Sequence, residues 1–105
     1  MGFSLYIVAC ADGTLYTGIA TDVARRVAEH NGLTPNGEPV GGKSKGARYT
    51  TARRPVRLVY EAVFETRSDA SKEEFRIKQL SRAEKDLLIA NAAERLAAKP
   101  VSKTR

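Results

Sequence analysis

The sequence predicts an α+β domain, a small three-stranded antiparallel sheet flanked by helices in the order β-β-α-loop-β-α-α. Three observations carry this. Residues 3 to 20 read as two short strands joined at Asp12-Gly13, residues 56 to 65 (VRLVYEAVFE) read as a third strand, and three capped segments with helical spacing lie between and after them. At 105 residues one domain is expected, residues 1–98, with 99–105 as a basic flexible tail. Hydrophobic residues make up 42% of the chain, enough for a folded core rather than a disordered segment.

The first strand covers residues 3 to 10 and the return strand residues 14 to 20. Their pairing decides what lies on each face. A two-residue turn would put Tyr6 and Tyr16 on opposite faces. A three-residue loop, Ala11-Asp12-Gly13, with a left-handed Gly13 as a bulge, puts them together. The second register also collects Leu5, Ile7, Ala9, Leu15 and Ile19 on one apolar side, leaving Tyr6, Val8, Tyr16 and Gly18 on the other. The three-residue loop is therefore the expectation.

Thr21 or Asp22 caps the following helix, with Val23 and Val27 as a narrow apolar stripe. Asp22, Arg26 and His30 recur every four residues and share one side of it. Asn31-Gly32 ends it. Residues 31 to 46 have loop composition, and a basic run follows from Lys43 to Arg57 with Tyr49 among the cations. After the third strand, Ser68 is placed to cap a helix over roughly 69 to 80, with Ala70, Ile77 and Leu80 inward. Ser81 and Glu84 form a capping box for a last helix running to about residue 98, where Pro100 stops it.

Lys and Arg total 18 against 12 for Asp and Glu, a formal charge of +6. This favours polyanionic partners, nucleic acid before an anionic membrane surface. The single cysteine, Cys10, lies in an apolar strand, so neither an internal disulfide nor a cysteine-rich zinc site is expected. No charged leader precedes the first strand and its apolar run is too short to span a bilayer, so a cytoplasmic location without membrane contact is the expectation. There is no P-loop, no paired-cysteine motif and no Gly-x-Ser-x-Gly elbow, and no small-molecule cofactor is expected.

The informative set is the first hairpin and its helix. Ser4-Leu5-Tyr6 keeps only the tyrosine of one tripeptide, Tyr16-Thr17-Gly18 supplies a second, Arg26 follows Gly18 by eight residues and His30 follows Arg26 by four. Glu73 to Leu80 (EEFRIKQL) then forms an acidic helix segment. In this order and spacing the chain resembles the GIY-YIG nuclease superfamily over residues 3 to about 85. The run Lys45-Gly46-Ala47-Arg48-Tyr49-Thr50 is similar to the short, single-domain bacterial members. The resemblance implies a metal-dependent endonuclease hydrolysing phosphodiester bonds of DNA, in repair or processing, with one divalent ion, Mg²⁺ or Mn²⁺. Glu74 would hold the metal through a hard carboxylate oxygen. Tyr6 would orient or deprotonate the attacking water, helped by a cation that lowers its pKa. Tyr16 would hydrogen-bond the phosphate or the water, Arg26 would stabilise the transition state, and His30 would accept or relay a proton near the working pH. Gly18 would leave room for the phosphate. Lys43, Lys45, Arg48, Tyr49, Arg53 and Arg54 would contact the nucleic acid. DNA is the expected partner, RNA a second candidate, and a larger repair factor a third.

Plainer roles stand beside these. The tyrosines suit any strand, Arg26 has the spacing to pair with Asp22, and a lone histidine near a helix end is commonly solvated. Periodicity does not choose between Glu73 and Glu74; only the resemblance selects Glu74. The chain also departs from the superfamily pattern: the first tripeptide lacks its Gly and Ile, the loop at 31 to 42 is long, and Asn91 is not placed by the resemblance at the position of an asparagine that some members use. A nucleic-acid-binding module that keeps the fold without cutting is the alternative function.

Overall fold

Alternating apolar residues and a turn glycine, Gly13, build a three-stranded antiparallel sheet with the first strand in the middle. The computed structural model describes residues 2–34, 36–39, 50 and 53–102, with side chains described to residue 93. The elements are β1 (Phe3–Cys10), β2 (Leu15–Ala20), α1 (Val23–His30), β3 (Val56–Phe64), α2 (Arg67–Lys78) and α3 (Arg82–Ser102). The strand order is β2-β1-β3, which is the α+β architecture expected.

The β1–β2 register pairs Tyr6 with Gly18 and Val8 with Tyr16. The loop is Ala11-Asp12-Gly13, closed by Cys10 N–H to Thr14 C=O at 2.8 Å, with Gly13 at φ +88°. That is the three-residue loop, and it sorts the two faces as the sequence indicates. Between β1 and β3 the register shifts after Ile7: Ile7 faces Tyr60 and Val8 faces Leu58. Val59 is therefore the extra residue of a β-bulge, a feature the sequence does not announce.

Each face of the sheet carries its own core. Tyr6, Val8, Cys10 and Val56 pack with Val23 of α1, joined by Tyr16, Ala20 and Val27. On the opposite face Leu5 and Ile7 pack with Ile77 of α2, joined by Leu15, Tyr60, Leu80 and, from α3, Leu88 and Ile89. Leu5, Ile7 and Ile77 are fully buried, and each contributes roughly 1.5–3 kcal/mol of transfer free energy. The sheet thus lies between α1 on one side and α2 with α3 on the other.

Two helix ends differ from the sequence reading. Thr66, not Ser68, caps α2, its side chain accepting from the Asp69 N–H at 3.1 Å. Strand β3 releases the chain at Phe64, two residues before Thr66, so the helix begins as soon as a capping hydroxyl is reached. The last helix starts at its capping box, Ser81 N–H to Glu84 at 2.8 Å and Glu84 N–H to Ser81 Oγ at 3.1 Å. It continues to Ser102, so Pro100 lies within its final turn instead of ending it. In a last turn a missing N–H forfeits one bond to the preceding turn and little lies downstream to disrupt. Among the described residues no helix is long and apolar enough to cross a membrane.

Candidate active site

Tyr6, on the central strand, lies over Gly18 of the edge strand β2. A Cβ built at Gly18 would stand 2.6 Å from the phenol oxygen. The space beside Gly18 is therefore filled by Tyr6 itself, which corrects the expectation that it is kept open for a phosphate. Leaning over β2 in this way, the phenol reaches towards the β2 edge of the sheet.

His30 meets that phenol from α1. Asp22 caps the helix, accepting from Arg25 N–H at 3.1 Å. Two turns later His30 falls on the sheet-facing side, where it is fully buried. Its Nε2 lies 2.7 Å from Tyr6 Oη, and its Nδ1 lies 2.8 Å from Thr50 Oγ1. Tyr16 packs edge-on against the same imidazole, ring centroids 5.2 Å apart. Burial, then the nearby Arg26, and also Arg54, push the imidazole pKa from 6.5 down to about 4, with Glu29 opposing. Two separate expectations are thus corrected: His30 is not solvated, and its pKa does not lie near the working pH, because the imidazole is buried among cations.

Arg26 does not pair with Asp22. Its Nη1 donates to Glu29 Oε1 at 3.0 Å, and its positive charge acts on the nearby Tyr6 phenol. The pairing with Asp22 fails because that carboxylate is committed to the helix cap. Tyr6 was expected to have a lowered pKa. It is instead raised: burial outweighs the opposing effect of Arg26, and the charge of Glu74 adds to the rise.

Glu74 acts on the Tyr6 phenol by its charge, whereas Glu73 is tied to Arg76 at 2.9 Å, and that bond holds the Glu73 carboxyl below the usual range. The structure therefore separates two glutamates that periodicity leaves equivalent. Glu74 is half-buried, and its Oε2 pairs with Lys78 at 3.2 Å, leaving Oε1 as a hard donor. Among the described residues no group of three or more His, Cys, Asp or Glu side chains could enclose a metal ion. The donor set fits a divalent ion held by one carboxylate, with water and phosphate oxygens as its other ligands.

The segment entering β3 is sewn to α1. Arg54 Nε donates to the His30 carbonyl at 2.6 Å. Asn31 accepts from Val56 N–H at 2.7 Å and donates to Val56 C=O at 2.9 Å. Arg53 pairs with Asp12 at 2.9 Å. Arg53 and Arg54, taken from the sequence as nucleic-acid contacts, both make contacts inside the fold. Lys43, Lys45, Arg48 and Tyr49 lie outside the described residues. Asn91 is exposed on α3. Thr50 is the site residue that residue-by-residue reading missed. Its place at the end of the Lys45–Thr50 run was the available signal.

Residues 2–86 match the family model of the GIY-YIG catalytic domain. The chain is 54% identical over 85 residues to the UPF0213 protein of Desulfotalea psychrophila, covering 81% of this chain and 68% of that one. It is 48% identical over 84 residues to the UPF0213 protein of Halobacterium salinarum, covering 80% and 95%. Among solved structures it is similar to the solution NMR structure of the UPF0213 protein of Bacillus halodurans, with TM-score 0.50, 39% identity and coverage of 86% and 84%. A solution NMR structure of an E. faecalis protein gives TM-score 0.54, 30% identity and coverage of 89% and 88%.

Proposed function

The chain belongs to the GIY-YIG family, and from that premise we propose that it is a metal-dependent endonuclease cutting phosphodiester bonds of DNA. The observation that supports it is the convergence on one phenol: His30 Nε2 at 2.7 Å, the Arg26 guanidinium, and the Glu74 charge all act on Tyr6. Oriented donors, a cation and one carboxylate beside a tyrosine suit attack of water on a phosphate diester. The relatives' names carry no activity, so this reading rests on the family and on the site.

Glu74 would hold Mg²⁺ or Mn²⁺, which when bound supplies Lewis-acid neutralisation of phosphate charge. Arg26, held in place by Glu29, places its guanidinium against the charge that builds on the phosphate oxygens. Tyr6 orients the attacking water through its phenol oxygen. His30, neutral and buried, holds that phenol in place. Tyr16 packs on the imidazole and keeps it in position. The basic run beginning at Lys43, with Lys45, Arg48 and Tyr49, supplies phosphate contacts, so affinity depends strongly on salt and little on sequence.

A second reading, a nucleic-acid-binding module that does not cut, draws on the Glu74–Lys78 pair, which occupies part of the sole proposed metal donor. Nicking of supercoiled plasmid by the purified chain distinguishes them. The nuclease predicts nicking with Mg²⁺ or Mn²⁺, none in EDTA, and loss in both Glu74→Ala and Arg26→Ala. Wild-type protein that shifts DNA on a gel in EDTA but never nicks it would establish the binder.

A further inference from the structure

We infer that Phe75, set between Lys72 and Lys78 on the outer face of α2, is a stacking platform for an unpaired base of the bound nucleic acid beside the candidate site. The inference rests on the reading above that the site takes a nucleic-acid strand; it does not need the strand to be cut.

Among the described residues the exposed large hydrophobic side chains are Leu58, Val63, Phe75 and Leu87, and Phe75 is the aromatic one, 68% exposed. It does not anchor its helix: Ala70 and Ile77 do that from the other side of α2, both fully buried. A single exposed apolar residue is ordinary. The neighbours set this one apart. Lys72 and Lys78 stand three residues to either side, both exposed, so they share the face of the ring. The acidic residues Asp69 and Glu73 lie roughly 120° or more away around the helix, and Glu73 is bound to Arg76. A ring between two cations matches a strand that offers a flat base between phosphates. It does not match the core of a protein interface, where lysine is depleted. The formal charge of +6 favours the same partner.

Position along α2 ties the ring to the site. Glu74, the proposed metal donor, directly precedes Phe75, and Lys78 pairs with Glu74 at 3.2 Å. Successive Cα atoms are about 3.8 Å apart, close to the ~3.4 Å rise per nucleotide of a stacked strand. A strand with a phosphate at Glu74 therefore brings a base to Phe75 within a nucleotide or two.

The test is binding of a short single-stranded oligonucleotide carrying 2-aminopurine, in EDTA so that nothing is cut. The fluorescence of this base falls when it stacks. Wild type is expected to bind and quench it. Phe75→Ala and Phe75→Leu should both weaken binding, roughly five- to hundredfold, the range of one base–aromatic stack, and lose the quenching. Phe75→Tyr should retain both, which separates a π-face from mere apolar bulk. The ring is mostly exposed, so all three variants should keep the wild-type Tm. Unchanged binding in Phe75→Ala or Phe75→Leu would overturn the proposal, as would a wild type that leaves the fluorescence unaltered. A dimer that becomes monomeric in Phe75→Ala, with strand binding intact, would assign the ring to contact between two copies instead. Plasmid nicking by the same preparations separates this from the nuclease reading. Wild type that nicks, beside Phe75→Ala that binds normally, refutes the platform alone. Wild type that never nicks, beside Phe75→Ala that loses the strand, refutes the nuclease alone.

Discussion

Tyr6 and Gly18 occupy one space: a Cβ on Gly18 would stand 2.6 Å from the Tyr6 hydroxyl and 2.7 Å from its Cζ. The phenol cannot swing aside, being 1% exposed and bonded to His30. Gly18→Ala is expected to destabilise the domain by about 1–3 kcal/mol through overpacking. Thermal unfolding followed by circular dichroism should show Tm falling by roughly 4–8 °C per kcal/mol. Adding Tyr6→Phe should recover little, since Cζ remains. Full recovery would mean that the hydroxyl alone makes the clash.

His30 gives the domain a pH dependence of predictable sign. Its folded pKa of about 4 lies below the ordinary 6.5, so the unfolded chain binds the proton first as pH falls. The stability contributed by the neutral imidazole is complete above pH about 6.5, is lost progressively down to about 4, and changes no further below that. The span amounts to on the order of 3 kcal/mol at 1.36 kcal/mol per unit. Urea unfolding between pH 7 and 5 should show the midpoint falling in wild type and a flatter profile in His30→Gln. Equal slopes would place the effect elsewhere.

Asn31 reproduces the pairing of a missing strand by binding both backbone groups of Val56. Asn31→Ala leaves a nearly buried N–H and C=O without their partner, at a cost of about 1–3 kcal/mol. Asn31→Asp keeps the acceptor and loses the donor, so it sets a carboxylate against the Val56 carbonyl and should be no better. Hydrogen exchange at the Val56 amide is the direct readout, with protection lost in Asn31→Ala.

Lys78 and a divalent ion would compete for Glu74. Both side chains of the pair are partly exposed, 54% and 25%, so the pair is worth about 0.2–1 kcal/mol. Lys78→Ala is expected to tighten Mn²⁺ binding, measured by calorimetry without DNA, by a factor of up to roughly 5. Unchanged affinity would argue against Glu74 as the metal donor.

Local chemistry made much of this legible. The hairpin register follows from the tyrosine spacing and the turn glycine, and the capping box marks the start of α3. Features that join distant residues were not legible. The Thr50–His30 bond spans 20 residues and the Asn31–Val56 clamp spans 25, so no window of helical or strand period contains either pair. The i, i+4, i+8 line through His30 correctly put it on one side of α1, but the same line serves a solvated face and a buried one. Only the packing of α1 on Tyr6 and Val8 decides between them. By residue type Ser68 is the better cap, and where β3 lets go of the chain selects Thr66 instead. For the glutamates the assembled fold supplies what periodicity does not: the charge of Glu74 acts on Tyr6, while Glu73 is bound to Arg76.

The hairpin tip between β1 and β2 is held from two remote parts of the chain. Asp12 pairs with Arg53 at 2.9 Å and Arg82 donates to the Gly13 carbonyl at 2.7 Å, while Thr14 ties the loop internally through Asp12 at 2.6 Å. Each link is weak alone, but together they make the tip a junction where the start of β1–β2, the entry to β3 and the first turn of α3 are joined. Loop tips are ordinarily where proteases nick a domain and where inserted peptides are absorbed. Here a cut or an insertion would release three segments together, so the engineer seeking a permissive site for a tag should look elsewhere.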